Sequence, residues 1–88
     1  MGKAVKEDRE DLYPHNIEAE VAVLGAVLVN NDLWPTAAAI VLSGDFYRSA
    51  HGDIWSSMER VRASGAAIDI VTLSNDLERH GALERIGG

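Results

Sequence analysis

The sequence contains no cysteine, which excludes disulfides and thiolate metal sites. It also lacks a long apolar segment, because the longest run, Val21 to Val29, is far shorter than the ~20 residues that span a bilayer. Residues 1–11 contain no apolar stretch and so do not resemble a secretory signal. These absences favour a cytoplasmic protein that makes no contact with a membrane.

Basic residues are scarce. The chain has 8 Lys and Arg against 14 Asp and Glu, which gives a formal net charge of −6. A domain that holds nucleic acid through phosphate contacts needs a basic face, whereas the basic residues here are scattered along the chain. The composition therefore disfavours direct DNA binding by this domain and favours a protein partner.

Motifs of catalysis and nucleotide binding are also missing. The sequence has no G-x-x-x-x-G-K-S/T or G-x-G-x-x-G phosphate loop and no G-x-S-x-G elbow. The three histidines, His15, His51 and His80, lie far apart and lack the i, i+4 spacing of a zinc-ligand pair. We expect His51 to be half-buried and hydrogen-bonded beside the Asp45–Tyr47 connector, and His15 and His80 to lie at helix termini or caps.

The carboxylates and aromatic residues have structural explanations. Turns or helix caps account for Asp32, Asp45 and Asp69, and the helix dipole accounts for Glu18 and Glu20. No carboxylate lies in an apolar context that would raise its pKa for acid–base chemistry. Trp34 is either an interface anchor or packs over the turn that follows it. The sequence thus predicts no catalytic, cofactor-binding or metal-binding residue, and it leaves open whether the whole protein is an enzyme.

Apolar periodicity predicts two helices in the first half of the chain. The first spans residues 17–29, begins at the N-cap Asn16 and is apolar on more than one side, which is typical of a central helix. Gly25 inside it suggests a close helix crossing, the alternative being a glycine that is merely tolerated there. The second helix spans residues 33–42 and ends at Ser43 and Gly44, with Gly44 in the left-handed conformation. Its inward face is expected to comprise Ala37, Ile40 and Val41.

Two further helices are predicted in the second half. The third is capped by Ser49, extends to residue 64 and ends at Gly65. Its inward stripe comprises His51, Ile54, Met58 and Val61, with Trp55 beside them. The fourth follows the N-cap Asp69, ends at His80 and Gly81, and turns Ile70, Leu73 and Leu77 inward.

The last residues, 82–88, should add a short turn in which Leu83 and Ile86 pack back on the helices. The β-branched cluster at residues 68–72 would form a lone strand without a partner, so a helix is preferred there. The expected architecture is all-α, a compact bundle of about four helices with a short C-terminal turn. We divide the chain into a disordered charged tail, residues 1–12, and a helical domain, residues 13–88.

Three segments of the sequence resemble the DnaB family of bacterial replicative DNA helicases. Residues 14–25 are similar to the family's opening pattern P-x-x-x-E-A-E-x-x-V-L-G. Residues 45–51 resemble its D-F-Y-x-x-x-H segment. Residues 68–88 resemble its I/V-D-x-V-T-L-x-x-x-L-x-x-x-G-x-L-x-x-I/V-G-G segment. The resemblance covers about residues 13–88, and three such segments in order are specific.

The resemblance implies the N-terminal collar domain of a hexameric helicase that acts in DNA replication. In that family the collar domains pair with other helicase subunits and help recruit a DnaG-type primase and a helicase loader. Unwinding, with ATP and Mg, belongs to a separate motor domain, and DNA is contacted through the rest of the full protein. The family also continues into a helical hairpin that contributes to pairing. Neither hairpin nor motor is expected in this sequence.

Other readings of the sequence remain open. One alternative is a free-standing small helical protein–protein interaction domain. A nucleic-acid-binding module would show DNA affinity that falls steeply with salt, which an acidic domain should lack. A small enzyme or ligand-binding domain would need a pocket with converging histidines and carboxylates, which their spacing disfavours.

Overall fold

The computed structural model describes residues 16–85, and this part of the chain contains four α-helices and no strand. Helix α1 spans Ile17–Val29, α2 spans Trp34–Ile40, α3 spans Ser49–Ala63 and α4 spans Ile70–Arg79. Short 3-10 turns at Asn31–Leu33 and Ser43–Asp45 join α1 to α2 and α2 to α3. The predicted all-α architecture is confirmed. The tail at residues 1–12 and the contact expected of Ile86 lie outside the described residues.

The core forms around α3, which packs against α1, α4 and the Ser43–Asp45 turn. Trp55 and Met58 of α3 are wholly buried, and Val27 of α1 and Ile68 before α4 are 1% exposed. The prediction that the first helix is central is therefore wrong. Its apolar residues cover more than one side, yet Val21 on its outer side is 53% exposed.

The first and last helices begin as predicted. Asn16 Oδ1 accepts a hydrogen bond from the Ala19 N–H at 2.9 Å, as an N-cap should. Asp69 and Thr72 form a capping box, in which each side chain accepts from the backbone N–H of the other, at 2.8 and 3.0 Å. The prediction of a Ser49 cap is wrong, because Arg48 is the N-cap of α3 and provides no side-chain cap bond.

Two residues predicted to face inward and one predicted backbone conformation at the helix ends are wrong. Ile40 and Ile70 are 74% and 68% exposed, because each lies at a terminus of its helix beyond the core. Helix α2 stops at Ile40 and is followed by two extended residues, so the predicted left-handed Gly44 is not needed. Gly65 and Gly81, with φ of 87° and 67°, do end α3 and α4 as predicted.

The close crossing predicted at Gly25 is absent. A Cβ placed on Gly25 would meet no other atom within 4 Å. The closely approached glycine is Gly52 in α3, where a Cβ would lie 2.8 Å from the Ser43 carbonyl oxygen. The start of α3 therefore sits against the Ser43–Asp45 turn at a distance that only glycine permits.

No single helix within residues 16–85 has the length and apolar character needed to cross a membrane. Helix α1 and the stretch Asn31–Ile40 have that length and apolar character only when they are counted together, and the chain bends by 115° at the break between them.

Candidate functional site

Glu20 of α1 caps the N-terminus of α3. Its Oε2 accepts a hydrogen bond from the Tyr47 N–H at 2.6 Å, and its Oε1 accepts from the Arg48 N–H at 3.5 Å. The same Oε1 lies 2.6 Å from His51 Nδ1. A carboxylate from one helix thus accepts hydrogen bonds from the backbone N–H groups of the two residues that immediately precede another helix. Local helix rules assign Glu20 only to the dipole of its own helix, and this contact was missed.

The surroundings of Glu20 favour its ionised form. Burial raises the pKa of this carboxyl. The hydrogen bonds from His51, Tyr47 and Arg48 together lower the pKa by more than burial raises it, so the pKa lies below its ordinary value. His51 is half-buried and its ring meets Phe46 edge-on at 6.4 Å, so the position predicted for this histidine is confirmed. The Glu20–His51 pair therefore joins α1 to α3 as a structural contact.

An open groove lies beside Glu20. Ala19, Glu20 and Val23 of α1 line one side, and Val41, Asp45 and Phe46 line the other. Its volume of about 190 Å³ is below the ~300–1,000 Å³ of typical small-molecule sites. Its two carboxylates are engaged within the domain, since Asp45 Oδ2 accepts from the Leu42 N–H at 2.8 Å. The groove therefore offers apolar surface without a converging acid–base pair.

Asp76 of α4 is buried, which the sequence did not predict. It is 2% exposed, and Arg60 of α3 donates to both its oxygens through Nε and Nη2, at 2.7 to 3.2 Å. Arg79 and His80 approach the same carboxylate at 3.6 Å. Asp76 lies between Leu73 and Leu77 on the inner stripe of α4, so helical periodicity could have identified it.

The Arg60–Asp76 pair is a structural ion pair between α3 and α4. Burial raises the pKa of Asp76. The hydrogen bonds from Arg60 lead the contacts that outweigh this effect, so the pKa lies below the ordinary value. The Ser57 hydroxyl adds to the polar surroundings that lower the pKa of Asp76, although that buried oxygen has no partner in hydrogen-bonding geometry among residues 16–85. A carboxylate held ionised by a two-pronged arginine is suited to joining helices and poorly suited to proton transfer.

Three aromatic side chains, those of Trp34, Phe46 and Trp55, belong to the core. Trp34 and Phe46 flank the buried Trp55, with ring centroids 4.7 and 5.5 Å from it. Of the two roles considered for Trp34, the structure supports packing, directly on Trp55. The Trp55 Nε1 hydrogen is buried without an acceptor among the described residues.

The described histidines and carboxylates do not converge on a metal site. Among residues 16–85, no group of three or more His, Asp or Glu side chains is arranged to hold a metal ion. His51 lies beside Glu20 and His80 beside Asp76, and His15 lies outside the described residues.

Several large aliphatic side chains are exposed on the surface of the domain. Four of them lie on two chain segments that Asn31 connects. The large hydrophobic residues that are at least 43% exposed are Val21, Val29, Leu33, Ile40, Leu42, Tyr47, Ile70 and Val71. Because the Glu20 and Asp76 carboxylates serve internal contacts, this apolar surface is the candidate functional feature.

Comparison with known proteins identifies one family. Residues 12–88 match the family model of the DnaB-like helicase N-terminal domain. The chain is 36% identical over 80 residues to the replicative DNA helicase DnaB of Buchnera aphidicola subsp. Acyrthosiphon pisum, which covers 91% of this chain and 17% of that protein. It is 43% identical over 79 residues to DnaB of Geobacillus stearothermophilus, covering 90% and 17% respectively. The chain thus spans about one sixth of the length of these relatives.

A solved structure shows the same fold. The crystal structure of the N-terminal domain of DnaB helicase from Mycobacterium tuberculosis matches with a TM-score of 0.81 and 36% identity. The match covers 85% of this chain and 52% of that chain. About half of that domain therefore has no counterpart in the residues compared here.

Proposed function

We propose that this chain, which belongs to the family of DnaB-like helicase N-terminal domains, acts as an assembly and partner-docking domain of a replicative helicase. It would help to form the collar of a hexamer and to recruit a DnaG-type primase and a helicase loader. Unwinding would be carried out by a motor domain elsewhere in the full protein, and ATP and Mg would be bound there.

One observation carries this proposal. The carboxylates of Glu20 and Asp76 are engaged in contacts that join helices, while eight large hydrophobic side chains are exposed within residues 16–85. Exposed apolar patches on a small domain mark surfaces that other proteins cover. A docking role uses such surface directly, whereas catalysis would need converging groups.

The charge of the domain supports a protein partner over DNA. Residues 16–85 contain ten carboxylates and five arginines, and three of the arginines, Arg60, Arg79 and Arg85, face carboxylates of their own domain. Few cations remain for phosphate contacts. DNA would therefore be reached through other parts of the full protein.

The test is the mass of this chain in solution, measured by light scattering after size exclusion. The chain is examined alone and mixed with the C-terminal domain of a DnaG-type primase. We expect a co-eluting complex with the primase domain, and a mass above that of one chain if the domain also pairs with itself. A monomer that ignores the primase at micromolar concentrations would contradict docking by this part of the helicase.

A further inference from the structure

Asn31 holds two segments of the chain side by side. Its Nδ2 donates to the Ile68 carbonyl at 3.1 Å and to the Val27 carbonyl at 2.8 Å, and its Oδ1 accepts from the Ile68 N–H at 2.6 Å. One side chain thus joins the end of α1 to the start of α4, across 37 residues of sequence. The segments 29–33 and 68–72 therefore share one region of the surface.

These two segments expose four aliphatic side chains, which we call the aliphatic patch. Val29 is 89% exposed, Ile70 68%, Val71 67% and Leu33 43%. They stand beside Ile68, which is 1% exposed and anchors the patch to the core. Single exposed aliphatic residues are normal on a protein surface, whereas a cluster of four is typical of an interaction site.

The aliphatic patch is held in place before any partner arrives. The Asp69–Thr72 capping box fixes the helical turn that carries Ile70 and Val71. Three of the four side chains are β-branched and so have restricted χ1 rotamers. Little side-chain freedom remains to be lost on binding, which favours affinity.

The two segments that carry the aliphatic patch have charged side chains of one sign. Residues 29–33 and 68–72 contain two carboxylates, Asp32 and Asp69, and no Lys or Arg. A second copy of the chain, placed on the patch by a two-fold axis, would bring these carboxylates against their own equivalents. Its four aliphatic side chains are also far fewer than the roughly 20–30 residues that each partner contributes to a standard-size stable interface. A short basic element fits both its size and its charge.

We propose that the aliphatic patch docks an amphipathic helix of a partner protein, one whose apolar stripe is flanked by Lys or Arg. The apolar stripe would cover Val29, Ile70 and Val71, and the flanking cations would face Asp32 and Asp69. This inference rests on the docking function proposed above and specifies the surface and the chemistry of the partner.

The test titrates the chain with two synthetic helices that share one leucine stripe at i, i+4 and i+7. One carries Lys on both sides of the stripe and the other carries Glu. Amide chemical shifts in nitrogen–proton correlation spectra report where each peptide binds. We expect the Lys peptide to perturb residues 29–33 and 68–72, and the Glu peptide to bind roughly tenfold more weakly because of like-charge contacts.

Two variants separate the aliphatic patch from general hydrophobic binding. The double variant Val29→Ser with Val71→Ser should weaken the Lys peptide by roughly tenfold or more, since two anchors are lost. Serine and valine have similar helix propensities, so both helices should persist. The control Ile40→Ser removes a side chain that is 74% exposed outside the patch, and it should leave the affinity unchanged.

The proposal is overturned by equal binding of the two peptides, by shifts centred elsewhere, by no binding, or by an equal loss in Ile40→Ser. The mapping on the unaltered chain stands whether or not a variant folds. Co-elution with the primase domain then tests the two proposals separately. A primase complex that forms equally well with the double variant refutes the patch alone, whereas peptide binding at the patch without any primase complex refutes primase docking alone.

Discussion

The ion pair between Arg60 and Asp76 should respond unequally to the loss of either partner. The side chain of Asp76 is 3% exposed, whereas that of Arg60 is 37% exposed. Removing the arginine leaves a buried carboxylate, with Arg79 and His80 no closer than 3.6 Å. Removing the carboxylate leaves an arginine that can turn toward water. We therefore expect Arg60→Met to destabilise the domain more than Asp76→Asn does.

The magnitudes follow from the burial. An uncompensated charge left by breaking a buried pair costs about 3–5 kcal/mol, and we expect Arg60→Met to lie at ~3 kcal/mol because Arg79 at 3.6 Å compensates in part. Asp76→Asn keeps the shape and one acceptor oxygen, and it should cost about 1–2 kcal/mol. Both are large fractions of the ~5–15 kcal/mol that holds a domain folded.

Urea unfolding followed by far-ultraviolet circular dichroism measures both free energies of unfolding. The matched control is Arg62→Met, which removes an exposed arginine of the same helix whose hydrogen bond to the Ala66 carbonyl is long, at 3.4 Å. This control should change the free energy of unfolding by about 0.5 kcal/mol or less. A loss in Asp76→Asn as large as that in Arg60→Met would refute the reasoning from burial.

The pH dependence gives an independent check of the same pair. The pKa of Asp76 is lowered on folding from its ordinary value of 3.8, so the ionised carboxylate adds stability above that pH. This contribution is lost as the pH falls through the lower folded-state pKa. The difference in stability between the wild-type chain and Asp76→Asn should therefore shrink below pH 3.8. A difference that stays constant down to acid unfolding would mean that the pair contributes nothing through ionisation.

Three further substitutions test other contacts by the same unfolding measurement. Glu20→Gln should lower the free energy of unfolding by about 1–2 kcal/mol near neutral pH. Because folding lowers the pKa of Glu20 below its ordinary value of 4.5, this variant should lose less stability than the wild-type chain as the pH falls below 4.5. Parallel pH profiles of the two chains would contradict this. Gly52→Ala should destabilise the domain by about 1–3 kcal/mol because its Cβ would lie 2.8 Å from the Ser43 carbonyl oxygen. Gly25→Ala has open space around its Cβ and should stabilise the domain by about 0.5–1 kcal/mol. The reverse order would show that the approach at position 52 is not tight. Asn31→Ala should cost about 1–3 kcal/mol and weaken the Lys peptide, and unchanged binding would separate this side chain from the aliphatic patch.

The sequence predicted those features that depend on neighbours along the chain. The limits of α1, the Asn16 and Asp69 caps, and the helix ends at Gly65 and Gly81 all follow from rules that act over one helical turn. The resemblance of three segments to one helicase family was equally local, and the family comparison confirmed it. Such signals need no knowledge of how the helices pack.

The failed predictions concern positions whose environment is set by packing. Gly25 and Gly52 both lie within helices. Only the packed structure shows that a Cβ at position 52 would meet a backbone oxygen. Ile40 and Ile70 have apolar spacing, but each falls where its helix leaves the core. Periodicity gives the face of a helix and cannot tell how far along the helix that face is covered.

The same distinction explains why the main supports of the domain were not predicted as such. Glu20 and Asn31 both satisfy backbone groups of segments at least 27 residues away, and the capping rules that describe these residue types reach only four or five residues. Each satisfies backbone groups that would otherwise lose their partners on folding. In Glu20 the result is a fixed start for α3, and in Asn31 it is the alignment of the two segments that carry the aliphatic patch. The positions that determine which surface this domain presents are therefore polar residues inside it, and substitutions there should alter docking without touching the exposed aliphatic side chains.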